Sequence, residues 1–107
     1  MPRAKFQTLT EQMFYILLCL RTPCCGIDLF DRIRQMTNGR VTVGSGTLYN
    51  LLEQFADAGM ICEDGAEGRR RSYRLTEQGA ARLTQECERL SAQLNDYNRV
   101  FGEGEGQ

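Results

Sequence analysis

The chain contains no histidine and no tryptophan. Without histidine it lacks the side chain that most often serves as general base near neutral pH, and also the commonest metal ligand. Neither a phosphate-cradling glycine loop nor a Gly-x-Ser-x-Gly elbow is present, and Glu63-Asp64 stands alone as a carboxylate cluster at a strand end. Enzymatic rates need converging acid, base or nucleophile groups, so catalysis is not expected. No apolar run approaches the roughly 18 residues that span a bilayer. The longest, Met13 to Leu20, follows Thr10, Glu11 and Gln12 rather than a basic segment, so it does not read as a signal peptide.

What is present is an ordinary single-domain composition: 107 residues, 41% hydrophobic and 25% charged, with five cysteines. Cys19, Cys24, Cys25, Cys62 and Cys87 form no Cys-x-x-Cys pair. They read mainly as small core residues of a protein in a reducing cytoplasm, and no cofactor or metal is expected. A soft metal or redox role centred on Cys24-Cys25 is the sharper alternative, with Cys19, Cys62 or Cys87 completing a shell. Net charge is −1, but it is unevenly spread. Residues 1–75 carry ten Lys and Arg against eight Asp and Glu, whereas residues 76–107 carry three against six. The basic residues cluster in Arg69, Arg70, Arg71 and Arg74. Such a patch matters more for polyanion binding than the total does.

Thr10 is a good N-cap for a first helix, in which Met13, Ile16, Leu17 and Leu20 form one stripe before Pro23. A second helix spans about Gly26 to Thr37, with Leu29, Phe30, Ile33 and Met36 inward and Asn38-Gly39 as its stop. Arg40 to Gly44 alternates like one short strand. Ser45 caps a third helix carrying Leu48, Leu51, Leu52 and Phe55, which Gly59 closes. Met60–Asp64 and Arg71–Leu75 read as strands around a glycine-bounded loop, and Thr76 caps a last helix. The order helix, helix, strand, helix, strand, loop, strand, long helix is that of a winged helix-turn-helix. The expected fold is therefore mostly α with a small β-hairpin wing plus a long C-terminal dimerisation helix. Residues 1–75 would form the DNA-binding domain, 76–101 the dimerisation helix and 102–107 a disordered tail.

That last helix has a different period. Ala80, Leu83, Cys87, Leu90, Leu94, Tyr97 and Phe101 alternate at spacings of three and four, a heptad seam. Between them lie Arg82, Gln85, Glu86, Glu88, Arg89, Gln93, Asp96 and Arg99, all compatible with solvent. A helix roughly 39 Å long overshoots so small a domain and calls for a second copy, with Leu83, Cys87, Leu90, Leu94, Tyr97 and Phe101 at the interface.

The run Gly46-Thr47-Leu48-Tyr49, then Leu52, Ala58-Gly59-Met60-Ile61 and Arg70-Arg71-Ser72-Tyr73-Arg74-Leu75-Thr76-Glu77-Gln78-Gly79, resembles the PadR family of transcriptional regulators. Leu9–Leu20 and Pro23-x-x-Gly26 fit its first helix and turn, so the resemblance covers about residues 9 to 95. It implies a cytoplasmic bacterial homodimer, often a repressor, that binds an inverted-repeat operator in double-stranded DNA. Relatives with one short C-terminal helix often answer to hydrophobic or phenolic effectors. Three departures stand out: Gly44-Ser45 replaces a common Ser-Pro, Cys24-Cys25 replaces a small or aliphatic residue and histidine, and no tryptophan is available to stack a flat ligand.

In the third helix Ser45, Gly46, Thr47, Tyr49 and Asn50 are the expected DNA contacts: short polar groups near a helix N-terminus reach phosphates and base edges. The competing reading is a merely polar helix face. Arg69, Arg70 and Arg71 on the wing suit phosphate or minor-groove contact, with Arg40 and Lys5 (and Arg3) as weaker candidates. An effector pocket would be lined by Met13, Phe14, Leu17, Leu94 and Tyr97, against the alternative of a filled core. A winged helix that binds protein rather than DNA remains the rival function, and a thiol-based metal or redox sensor a third.

Overall fold

The computed structural model describes residues 8–67 and 70–103. In chain order these form α1 (Glu11–Cys19), β1 (Cys24–Cys25), α2 (Gly26–Met36), α3 (Ser45–Asp57), β2 (Ile61–Glu67), β3 (Arg70–Leu75) and α4 (Glu77–Glu103). The strands make one antiparallel sheet in the order β1-β3-β2. Three helices over a three-stranded sheet with a long final helix is the winged helix-turn-helix arrangement.

Local chemistry accounts for most boundaries. The Thr10 hydroxyl accepts from the Met13 N–H at 3.1 Å and starts α1. Asn38 and Gly39, with φ of 53° and 78°, end α2 by turning left-handed. Ile16, Leu17, Leu20, Leu29, Ile33, Leu48, Leu52, Phe55 and Ile61 are the centre of a single core that α1, α2 and α3 share with the sheet. The wing is tied to that core through its base. Leu75 N–H donates to Leu20 O at 2.8 Å and Thr76 N–H to Met60 O at 3.0 Å.

Two expectations fail. Residues 40–44 do not form the third strand; Cys24–Cys25 does, by pairing with Ser72 and Tyr73. The place beside β3 opposite β2 is taken by β1, and the 40–44 segment lies outside the sheet. Its alternation is satisfied without a ladder: Val41 and Val43 are buried, Val41 N–H donates to the Thr37 hydroxyl at 3.1 Å, and Thr42 O accepts from the Gln12 amide. The residue capping α3 is Gly44 rather than Ser45, which is already helical.

The last helix also departs from a pure seam. Leu83, expected at an interface between copies, is buried in the chain's own core. Glu86, which the heptad reading leaves in solvent, is 1% exposed. Arg82 at 3.4 Å and Arg89 both reach its carboxylate, and the Leu9 backbone N–H bonds it from the strap preceding α1. These partners hold the Glu86 carboxyl below its ordinary value, the Arg89 hydrogen bond foremost, against the opposing effect of burial. The helix also runs on through Gly102 to Glu103, past the expected end at Phe101; residues 104–107 of the expected tail lie outside the described residues.

Candidate nucleic-acid interface

The N-terminal half of α3 is presented to solvent because its apolar residues all fall on the opposite side. Leu48, Leu51, Leu52 and Phe55 are buried, while Ser45, Gly46, Thr47, Tyr49 and Asn50 are exposed. The first turn of a 13-residue helix therefore offers unpaired backbone N–H groups and the positive end of the helix dipole. A Cβ built on Gly46 would meet nothing within 4 Å, so a phosphate or base edge can approach the backbone closely there.

Tyr49 is 50% exposed and is held by α2 rather than by the sheet. Its ring meets Phe30 edge-on at 6.3 Å between centroids, and its Cε1 lies over Gly26, where a Cβ would sit 2.8 Å away. Gly26 thus makes room for the tyrosine at the start of α2. The same tyrosine lines a cleft of about 360 Å³ with Cys25, Gly26, Ile27, Arg70, Arg71 and Tyr73. The first turns of α3, the N-terminus of α2 and strand β3 converge on one concavity. The sequence alone gave no sign of Ile27, which is exposed at its rim although large and apolar.

On the wing, Gly65 adopts φ 98° at the register shift between Glu63 and Ala66, so the hairpin bends as it leaves the core. Arg71 lies 3.6 Å from Glu63 and Arg74 3.6 Å from Asp64. Both are loose, exposed pairs that yield readily to a phosphate. Arg40 is placed differently. Its guanidinium donates to the Tyr15 hydroxyl at 2.9 Å and lies 4.0 Å from Glu11, which ties it to α1 and not to the cleft. Arg69 and Lys5 (with Arg3) lie outside the described residues.

Cys19, Cys24 and Cys25 are buried, Cys62 is half-buried and Cys87 is exposed. Cys24 and Cys25 are buried in β1, the first donating to Cys25 O at 3.3 Å and the second to Asp28 Oδ2 at 3.1 Å. Among the described residues no three His, Cys, Asp or Glu side chains are placed to hold a metal ion. Of the expected effector-pocket residues, Met13 and Phe14 are half-buried and Leu94 and Tyr97 exposed, but Leu17 is fully buried in the protomer core and cannot line a ligand site. Among the described residues no helix is long and apolar enough to cross a membrane.

No curated protein matches the chain in sequence. Solved structures share its fold at low identity. A transcriptional regulator from Clostridium thermocellum is 21% identical with a TM-score of 0.69, over 86% of this chain and 97% of that one. A PadR family transcriptional regulator from Eggerthella lenta is 20% identical with a TM-score of 0.70, over 84% and 77%. Bacillus subtilis PadR, in complex with operator DNA, is 21% identical with a TM-score of 0.62, over 71% of this chain and 47% of that one. The profile of the transcriptional regulator PadR-like family matches residues 16–85, most of the wing-bearing domain and the first turns of α4. The chain therefore belongs to the transcriptional regulator PadR-like family, a family of transcription factors and not of enzymes.

Proposed function

We propose that the protein is a repressor that binds an inverted-repeat operator as a homodimer in the bacterial cytoplasm. The observation that carries this reading is the cleft shared by Tyr49, Gly26, Ile27, Arg70 and Arg71, beside an α3 N-terminus whose polar residues are all exposed. In this reading Ser45 and the N–H groups of Gly46 and Thr47 bind a phosphate, Tyr49 and Asn50 reach base edges, and the wing arginines grip the flanking backbone. Bacillus subtilis PadR, which shares the fold, is seen with operator DNA, and this supports the assignment.

The dimer rests on α4. Leu90, Leu94, Tyr97, Val100 and Phe101 are all exposed large apolar residues on the distal part of this helix, which is about 40 Å long. Covering the exposed half of each is worth about 1 kcal/mol, and a second α4 supplies the matching surface. Two protomers related by a two-fold axis present two α3 helices to one duplex, and such a dimer excludes other proteins from that DNA. The crevice between α1, at Met13 and Phe14, and the second copy's Leu94 and Tyr97 is the place for a hydrophobic or phenolic effector that releases the repressor.

Selection of bound sequences from random duplex DNA by the purified protein tests this. An inverted repeat is the expected product. Recovery of no enriched sequence, or of a single unpaired half-site, contradicts the dimeric operator reading.

A further inference from the structure

A second group of side chains lies away from the DNA-facing cleft, where α1 and α2 end side by side. Cys19 is the last residue of α1 and Met36 the last of α2. The Cys19 Sγ lies 3.9 Å from the Met36 Sδ. The two border a groove of about 520 Å³ formed with Leu18, Arg21, Thr22 and Arg32. Met36 is 50% exposed, so its thioether serves this groove rather than the core.

We propose that Cys19 and Met36 form a binding site for a soft monovalent metal ion, Cu(I) or Ag(I). Thiolate and thioether donors select such ions over harder ones. The absence, among the described residues, of any cluster of three His, Cys, Asp or Glu ligands argues against Zn(II) or Ca(II), which need a fuller shell. The spacing fits. With metal–sulfur bonds of about 2.3 Å, two sulfurs 3.9 Å apart subtend about 115° at the metal, close to trigonal. The third position is open to a small thiol entering by the groove.

Arg32 offsets part of the effect of burial on the thiol. Its Nη1 donates to Cys19 O at 3.1 Å and to Thr22 O at 3.0 Å, which fixes a positive charge beside both Cys19 and Cys24. Burial raises the Cys19 and Cys24 thiols above their ordinary value, and Arg32 is the main influence lowering them. On binding, the Cys19 S–H bond breaks, its proton passes to solvent and an S–metal bond forms, with no change of oxidation state. A thiolate and a monovalent ion together are neutral, so the pair does not add charge beside the guanidinium.

The test is competition between the purified, reduced full-length protein and a chromophoric Cu(I) chelator, with Ag(I) as a redox-silent second probe. One ion per chain is expected to bind at Cys19 and Met36. Met36→Leu, a volume-conserving change at a half-exposed position, should retain the fold by thermal melt and weaken binding at least tenfold. Cys19→Ala should abolish binding at that site, while Cys62→Ser and Cys87→Ser leave it unchanged. Affinity unmoved by Met36→Leu, or moved equally by Cys62→Ser or Cys87→Ser, would overturn the proposal, as would absence of binding.

Discussion

The two halves of α4 are built for different neighbours. From Glu77 to Arg89 the helix is bolted to its own domain: Leu83 enters the core, Glu86 is buried between two arginines, and Gly79 lies against the Met60 carbonyl. From Leu90 to Phe101 every residue is exposed, and five of them are large and apolar. The Tyr97 and Phe101 rings lie tilted against each other, 4.8 Å between centroids, and both are exposed. An apolar patch of this kind marks an interaction surface. The difference teaches that a helix with one continuous period can be an anchor at one end and an uncovered apolar face at the other.

The contrast can be broken most forcefully at its distal end. Replacing Leu94 and Tyr97 together by arginine places charges in the proposed apolar seam. This should raise the dimer dissociation constant at least about 1000-fold, or ~4 kcal/mol, as read by analytical ultracentrifugation. Far-UV circular dichroism should show the fold retained in the resulting monomer. A dimer of unchanged affinity would place the interface elsewhere.

At the anchored end, Gly79→Ala should destabilise the fold by about 3 kcal/mol in chemical denaturation, because the added Cβ would come 2.1 Å from Met60 O, a backbone atom that cannot turn aside. Glu86→Gln should cost less, about 2 kcal/mol, by removing the charge that two arginines share. The sign with pH follows. The folded Glu86 carboxyl lies below its ordinary value of 4.5, so the unfolded chain binds more protons in acid. Its contribution is complete above pH 4.5 and disappears as pH falls through the folded value. Denaturation midpoints of wild type and Glu86→Gln should therefore converge in acid.

The smallest expected effect contrasts the scaffold with the proposed DNA-reading surface. Gly26→Ala pushes only on the Tyr49 ring edge, the end of a side chain that can rotate. Stability should hold, while affinity for the selected duplex falls about tenfold, ~1.4 kcal/mol, by fluorescence anisotropy.

Much of this was readable in the chain itself. Helical spacing identified the buried faces of α1, α2 and α3, except that Met36, expected inward, is half-exposed, and Gly46-Thr47-Leu48-Tyr49 with the wing motif pointed to the family. Two kinds of feature escaped. Arg40–Gly44 alternates as a strand does, but alternation says which side is buried and not whether an edge is free to pair. Glu86 sits between seam positions and looks like any solvated carboxylate. Its burial depends on Arg82, Arg89 and the Leu9 strap meeting in space, which a one-dimensional pattern does not encode. Leu83 illustrates the same limit, since period alone does not tell an intramolecular contact from an intermolecular one.

The central claim, that the α3 tip and the wing arginines grip one duplex, is tested most directly by salt dependence. Binding of the selected duplex should be measured over a range of salt for wild type and for the Arg70→Ala, Arg71→Ala double variant. Loss of two phosphate contacts per protomer, four per dimer, should make the slope of log affinity against log salt shallower by about 3.6. A slope unchanged by both substitutions would show that the wing does not touch DNA and would contradict the account.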